Sequence, residues 1–482
     1  MIDALQDILL FNTESPLAFN SWQFWVLFTF FIIILGMVRK RKSVMLIYVI
    51  AFSAFFYYKV SGCFVVFLFV KGIVDFLLGR GLSCTHGIKK KCLLWFSILL
   101  SVGALVYCKY AGFLVDSFAV ILERNFQPLD IIMPVGISFV TFQTISYFVD
   151  VYKGKFDGAK NVFEYLFYIT FFPTIVSGPI VRAVHLLPQV RSCRKTTSAM
   201  VSDGFDLVIL GLIKKAIIAD YIAQYNNIVF SMGASYSGLE YMLALFGFSI
   251  QIYFDFSGYS DIAIGIARIM GFRLLPNFKN PYQSHNITDF WRRWHMSLSF
   301  WLRDYIYIPL GGNRCGKFRM YFNLLVTMII GGIWHGAGLN FLVWGIIHGL
   351  GLIVQKMTAF IHLPFKRGIQ FLSVILTFVF VSLAWLFFRV NDWEDICMIT
   401  DSILYKFNMD MLVPFVEERT IWVIAFILSL ILIFLPISWK KSMWKIYKRT
   451  NWLGKMILFI IVVQMIVQLS SVEVTQFIYS QF

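Results

Sequence analysis

The chain has 482 residues, of which 59% are hydrophobic and only 14% are charged, and its mean hydropathy is +0.75. Soluble domains carry about a quarter charged residues, so this composition excludes an ordinary soluble enzyme and predicts an all-α, polytopic membrane protein. The net charge of +16 lies mainly in short loops between apolar runs, which favours membrane lipids over nucleic acid as the counter-charge.

The apolar runs predict about eleven transmembrane helices, together with re-entrant and interfacial helices. The first 21 residues contain no lysine or arginine and therefore lack the basic region of a cleavable signal peptide. The four basic residues at 39–42 follow the first span, and the positive-inside rule places them in the cytoplasm and the N-terminus outside. The seven cysteines form no CxxC pair, which indicates buried apolar residues rather than disulfides or metal ligands.

We interpret residues 1–482 as a single membrane domain whose chemistry changes along the chain. Residues 1–128 are a run of spans with basic loops, and residues 361–482 are again plain spans. Residues 129–360 contain the buried acids and five of the seven histidines, so function is expected there.

In chain order, the first unusual feature of this central part is QIYFDFSGYSDIAIGIARIMGF, at residues 251–272. Asp255 and Asp261 interrupt an otherwise apolar run. Ionisable groups at membrane depth usually face a cavity or pair with an opposite charge, and Arg268 and Arg292 are candidate partners. The pattern favours a structural ion pair over a direct catalytic role.

The second feature is TDFWRRWHMSLSFWLRDYIYIPLGGNR, at residues 288–314. Its first half predicts one amphipathic helix, with Thr288 as the cap. The predicted polar face carries Arg292, His295, Ser299 and Arg303. A helix so short and charged is expected at the membrane interface or along a polar cavity, where His295 stays available for chemistry. A surface helix anchored by its tryptophans is the alternative.

The third feature is GGIWHGAGLNF, at residues 331–341, which holds His335 between two apolar runs. The preceding segment, residues 321–333, would rise only about 20 Å as a helix, and Gly331 and Gly332 would weaken it further. We expect a hairpin with His335 near its tip, in a pocket inside the membrane. No HExxH or paired histidine is present, so a metal site is not predicted, and a packed core histidine and a functional one both remain open.

These three motifs together resemble the membrane-bound O-acyltransferase family, and within it the integral-membrane subunit of bacterial alginate O-acetyltransferases. FFPTIVSGPIVR at residues 171–182 and the closing FIYSQF at 477–482 resemble that branch as well, although Ser480 replaces an expected aromatic residue. The resemblance implies a multi-helix fold around a central tunnel in the bacterial inner membrane. It also implies that His335 is catalytic and that His295 is the second required residue.

The resemblance further implies an acyl thioester donor, acetyl-CoA or a carrier-bound acyl group, that enters from the cytoplasm, with no bound cofactor and no metal. The expected partner is an exported SGNH-type acetyltransferase or other polysaccharide machinery. We expect His335 to be the general base and His295 to orient or polarise the thioester carbonyl. The candidate tunnel or supporting residues are Trp334, Asp255, Asp261, Arg292, Ser299, Arg303 and Asn313.

Three alternatives remain open at this stage. One is the transfer of D-alanine from a carrier protein during teichoic-acid modification, which is a function within the same family. Another is a proton-coupled transporter that uses Asp255, Asp261 and His335 as a relay, although the sequence shows no repeated pair of broken helices. The last is a scaffold subunit with no chemistry of its own.

Overall fold

The computed structural model describes residues 10–12, 16–123, 129, 131–192, 196–231, 236–358 and 367–469. Every regular element in these ranges is a helix, which confirms the predicted all-α class. The closing FIYSQF lies outside the described residues.

The chain divides into two compact units, Met1–Val208 with Ser260–Leu275, and Ile209–Tyr259 with Pro276–Phe482. The first unit contains α1 (Trp22–Val38), α2 (Lys42–Ser61), α3 (Phe64–Cys84), α4 (Gly87–Leu105), α5 (Ala111–Leu122), α6 (Ile137–Tyr152), α7 (Val162–Thr170), α8 (Phe172–Ile175) and α9 (Ala183–Ser192). Helices α10 (Ser198–Leu212) and α12 (Gly238–Ile269) each contribute residues to both units.

The second unit contains the remaining helices: α11 (Asp220–Ser231), α13 (Ile287–Arg293), α14 (Met296–Leu302), α15 (Gly316–His335), α16 (Leu339–Met357), α17 (Arg367–Arg389), α18 (Trp393–Tyr405), α19 (Leu412–Glu418), α20 (Thr420–Phe434), α21 (Ile437–Lys448) and α22 (Trp452–Leu469). Turns of π-helix occupy Val106–Tyr110, Ile213–Ala219 and Arg303–Tyr307. Such turns widen a helix locally and often accompany functional sites.

The first unit is held together by aromatic packing and by a buried polar network. Phe24, Phe28 and Phe31 follow helical spacing on α1 and turn inward, and each of them contacts the ring of Phe172. Between α3 and α6, the buried Asp75 accepts hydrogen bonds from the Lys71 ammonium at 2.6 Å and from the Thr144 hydroxyl at 3.0 Å. Because this buried charge is both paired and hydrogen-bonded, it can be kept in an apolar interior.

Four helical segments in the described ranges are long and apolar enough to cross a membrane: Lys42–Ser61, Gly87–Ala119, Leu339–Met357 and Gly368–Arg389. A fifth arises if Thr420–Phe434 and Ile437–Lys448, which meet at 101°, are counted as one broken span. The chain is therefore a multi-pass membrane protein, and the predicted total of about eleven crossings stays a prediction.

Helices α15 and α16 form the predicted hairpin, but its first arm differs from the expectation. Helix α15 begins at Gly316 and runs for 20 residues to His335, so the predicted short helix broken at Gly331 and Gly332 is wrong. Residues 316–320 extend the helix although their charges exclude them from an apolar run. The helix ends at His335 as expected, and a three-residue turn, 336–338, leads into α16.

The glycines of the hairpin allow its two helices to touch along their backbones. A Cβ on Gly332 would collide with the carbonyl oxygen of Phe341, and one on Gly345 would lie 2.6 Å from the carbonyl oxygen of Met328. A Cβ on Gly349 would meet the Leu325 side chain at 2.8 Å. These glycines therefore permit close contact between the two helices and do not break either helix.

Replacing Gly345 with alanine is expected to loosen the hairpin, because the backbone of Met328 cannot move aside as a flexible side chain could. We expect a loss of roughly 1–3 kcal/mol in the free energy of unfolding. The matched control is Gly103→Ala on α4, where a Cβ meets no heavy atom within 4 Å. Alanine favours helix over glycine, so this control should be at least as stable as the parent. Thermal unfolding of both variants in one detergent measures the difference, and equal midpoints would contradict the packing argument.

Candidate active site

His335 is the last residue of α15, and its imidazole lies inside a box of aromatic rings. The side chain is 4% exposed. Its ring centroid lies 4.9 Å from the Trp334 ring, 5.2 Å from Trp344 and 5.1 Å from Phe388, and every contact is edge-to-face. Hairpin closure brings Trp344 to the histidine, while Phe388 comes from α17. The sequence correctly predicted a buried histidine at the tip.

The amphipathic helix predicted from residue 288 onward is two short helices with a break at His295. Helix α13 starts after Asn286, whose side chain accepts from the Asp289 backbone N–H at 2.9 Å, so the prediction of Thr288 as the cap is wrong. His295 has φ +40°, a left-handed conformation that costs a non-glycine residue about 1 kcal/mol. Strained backbone of this kind is enriched at functional sites.

Asn277 explains the break at His295, because it captures groups that a continuous helix would use. Its backbone carbonyl accepts from the Met296 N–H at 2.8 Å, and its side-chain oxygen accepts from the Ser297 N–H at 3.1 Å. The same oxygen lies 3.2 Å from Nδ1 of His295. The expectation that His295 stays on an open polar face is wrong, since its side chain is fully buried.

These hydrogen bonds determine the tautomer of His295. A backbone N–H can only donate, so the atom that meets the Ser297 N–H must be the amide oxygen of Asn277. We assign the proton of His295 to Nδ1, because a protonated Nδ1 donates to that oxygen whereas an unprotonated one would face its lone pairs, and this assignment leaves Nε2 with a lone pair. Burial lowers the pKa of His295 from 6.5 to about 3, so the ring is neutral at physiological pH.

The two histidines are connected through Trp334. Its ring centroid lies 6.2 Å from that of His295 and 4.9 Å from that of His335. Phe256, on α12, packs against the other side of His295 at 4.6 Å. The structure therefore brings together the three ring-bearing residues that the sequence selected.

The other predicted supporting residues on this segment make local contacts. The Ser299 hydroxyl donates to the carbonyl oxygen of Trp294 at 3.0 Å, across the helix break. The Arg303 guanidinium pairs with Asp304 at 2.7 Å, and the Asn313 side-chain oxygen accepts from the Tyr307 hydroxyl. Arg292 is exposed on α13. In the contacts described, only Ser299 acts directly on the shape of the His295 segment.

The two predicted acidic residues, Asp255 and Asp261, lie in different environments. Asp255 is buried on α12 and pairs with the Lys215 ammonium at 2.8 Å, while Lys215 also pairs with Asp220 at 2.7 Å. The predicted structural ion pair is confirmed for Asp255, but neither proposed arginine is the partner, since Lys215 occupies that place. Asp261 is half-buried on the same helix, and its supporting role stays a prediction.

Sequence reasoning missed several residues of the site. Trp344 and Phe388 complete the aromatic box, and His348 follows one helical turn after Trp344 with a ring separation of 4.8 Å. His348 is fully buried, and among the described residues neither of its ring nitrogens has a hydrogen-bond partner. The i, i+4 spacing of Trp344 and His348 was the available signal. Asn277, in a short polar segment, offered no such signal.

The rings alternate along a continuous path, in the order His295, Trp334, His335, Trp344, His348. No cluster of three or more His, Cys, Asp or Glu side chains suited to a metal ion is found in the described ranges. The arrangement offers buried imidazoles and indoles, which are suited to acid–base chemistry in a dry environment.

Comparison with known proteins places this site within one family. The profile of MBOAT, the membrane-bound O-acyltransferase family, matches residues 159–391, a segment that includes both His295 and His335. The chain is 41% identical over 300 residues to a probable alginate O-acetylase of Pseudomonas syringae, a match that covers 61% of this chain and 57% of that protein.

Two further relatives are named for different activities. A peptidoglycan O-acetyltransferase of Helicobacter pylori is 35% identical over 334 residues, covering 63% of each chain. A teichoic acid D-alanyltransferase of Bacillus subtilis is 30% identical over 283 residues, covering 55% of this chain and 71% of that protein. The chain spans less than two thirds of the length of the alginate and peptidoglycan relatives. The chain belongs to the membrane-bound O-acyltransferase family.

Proposed function

We propose that the protein transfers an acyl group, specifically acetyl, from a thioester donor to a hydroxyl group during O-acetylation of a cell-envelope glycan or exopolysaccharide. The observation that carries the proposal is the buried His335 at the hairpin tip, within the segment that matches the family profile. The similarity to an alginate O-acetylase and a peptidoglycan O-acetyltransferase supports acetyl as the group and a glycan as the destination.

The proposal includes an arrangement in the membrane. The protein lies in the bacterial inner membrane with its N-terminus outside and about eleven helices around a tunnel. The donor, acetyl-CoA or a carrier-bound acyl group, reaches the tunnel from the cytoplasm, and the acceptor reaches it from the opposite side. An exported SGNH-type acetyltransferase or other polysaccharide machinery then receives the acetyl group. The division of substrates between two sides of a barrier gives a reason for a catalytic residue at membrane depth.

In this mechanism His335 acts as the general base. As the acceptor oxygen attacks the thioester carbonyl carbon, the imidazole takes the hydroxyl proton and a C–O bond forms. Collapse of the tetrahedral intermediate breaks the C–S bond, and the imidazolium returns its proton to the leaving thiolate.

The tautomer of His295 alters its proposed role. Because Nδ1 donates to Asn277, the remaining nitrogen, Nε2, accepts a hydrogen bond and cannot donate one to a thioester carbonyl. We therefore assign His295 to orienting a substrate hydroxyl or amide N–H. The oxyanion must obtain its donors elsewhere, and the Trp334 indole N–H and the backbone N–H of Gly336 are the candidates that remain.

The proposed function is tested by offering two donors to the purified protein in lipid nanodiscs. Acetyl-CoA and a D-alanyl-loaded carrier protein are supplied separately with an oligosaccharide acceptor, and thiol release and labelled product are measured. We expect acetyl transfer to be at least about tenfold faster than D-alanyl transfer, in kcat/KM. The reverse preference would establish the D-alanyl function instead, which the similarity to the Bacillus subtilis relative makes the second candidate.

Replacing Asn277 with aspartate is expected to make acyl transfer more sensitive to acid. A carboxylate beside Nδ1 stabilises the imidazolium and raises the pKa of His295 from about 3 toward the neutral range. As the pH falls through this raised pKa, Nε2 becomes protonated and can no longer accept a hydrogen bond. The logarithm of kcat/KM should then fall more steeply with decreasing pH in Asn277→Asp than in the parent.

The matched control is Ser297→Ala, which removes a hydroxyl that donates to the same Asn277 oxygen at 3.0 Å but adds no charge. This control is expected to keep the pH profile of the parent. Superimposable profiles for the parent and Asn277→Asp would contradict the assignment of the His295 tautomer.

A further inference from the structure

Helix α21 leaves α20 at a sharp corner that hydrogen bonds hold in place. The two helices meet at 101°. The Gln283 amide donates to the carbonyl oxygens of Ile433 and Leu435 at 2.7 and 2.9 Å, and the Lys440 ammonium donates to that of Ile433 at 3.0 Å. These bonds satisfy carbonyls that the end of a helix leaves without partners, so the corner is a fixed feature of the fold.

Three rows of side chains run along α21, each with the i, i+4, i+7 spacing of one helix face. They are a half-buried row of Lys440, Trp444 and Tyr447, an apolar row of Trp439, Met443 and Ile446, and a basic row of Lys441, Lys445 and Lys448. The apolar and basic rows are offset by two residues. A helix turns about 200° in two residues, so these rows lie on opposite sides of α21.

The apolar row has no protein cover. Trp439, Met443 and Ile446 are 65%, 55% and 67% exposed, and no residue of α21 is buried. Large apolar side chains aligned at this exposure mark a surface that meets something other than water. The helix also contains four lysines and no acidic residue, so a partner that binds beside the apolar row is expected to be negatively charged.

We propose that α21 lies in the plane of the membrane interface and binds anionic phospholipids. The apolar row enters the boundary between headgroups and acyl chains, and the lysine row, with its long flexible stems, reaches the phosphates. A tryptophan in the apolar row is typical of residues at this depth. A purely electrostatic partner, such as an acidic protein, would leave the apolar row uncovered, and therefore the bilayer is the occupant that the pattern favours.

This interface helix is joined to the segment that orients His295. The Lys440 ammonium donates to the Asn280 side-chain oxygen at 2.8 Å, and Asn280 lies three residues after Asn277. Asn280 itself has φ +47°, so its conformation depends on such contacts.

The test uses detergent-purified full-length protein and fluorescently labelled phosphatidylglycerol or phosphatidylcholine. The combined variant Lys441→Gln, Lys445→Gln and Lys448→Gln is expected to bind phosphatidylglycerol at least about tenfold more weakly than the parent, because each lysine contributes attraction to an anionic surface. Binding of phosphatidylcholine should not change. The matched control replaces the same three lysines with arginine, which keeps the positive charges and should keep the parent's affinity within about twofold.

A second variant keeps the test decisive if the glutamine protein does not purify as a single species. The combined change Trp439→Ser, Met443→Ser and Ile446→Ser should weaken binding of both lipids, because it removes the apolar contribution and leaves the charge. Equal phosphatidylglycerol affinity in the parent and the glutamine variant would overturn the proposal. Equal lipid affinity with slower transfer from an acyl-carrier protein would also overturn it, since α21 would then be a protein-docking helix. Lipid binding is measured without acyl transfer, so its result is independent of the proposed function.

Discussion

The close contact between α15 and α16 is the constraint on which the candidate site depends. Gly332 and Gly345 allow backbone to meet backbone, and a side chain at either position would separate the helices. Trp344 precedes Gly345. The close contact of Gly345 with α15 therefore also brings the Trp344 indole to the His335 imidazole. The three-residue turn and the two glycines thus place the His335 imidazole at the end of α15, in contact with α16. The acyl-transfer proposal requires this geometry before it requires any particular substrate.

The two histidines at the site are prepared in different ways. His335 makes edge-to-face contacts with three aromatic rings, and in the proposed mechanism it gains and loses a proton during each turnover. His295 is held by Asn277 in one tautomer with a depressed pKa, which suits a ring that stays neutral and accepts a hydrogen bond. In the proposed mechanism the two imidazoles have separate tasks, and their different environments separate the protonation states that those tasks require. The strained backbone at His295 is the structural cost of directing its ring to Asn277.

Features with a local cause were predictable from the sequence, and those that depend on distant partners were not. Composition and apolar runs predicted an all-helical membrane protein, and the prediction of a hairpin with His335 near its tip agrees with the end of α15 at this residue. A buried acid in an apolar helix correctly predicted an ion pair at Asp255, but the partner, Lys215, lies forty residues away on another element. The break at His295 was not predictable, because Asn277 captures the backbone from a separate loop. His348 was missed, because its position beside Trp344 depends on packing and belongs to no ligand or catalytic pattern.

The central claim is that His335 is the base for acyl transfer, and chemical rescue tests it most directly. The His335→Gly variant, purified in nanodiscs and shown to unfold cooperatively, is assayed for acyl transfer with and without added imidazole. We expect a loss of at least about a hundredfold in kcat, with partial recovery as imidazole is added and a pH dependence that follows the free imidazole. Transfer at the parent's rate by the folded variant without imidazole would contradict the account.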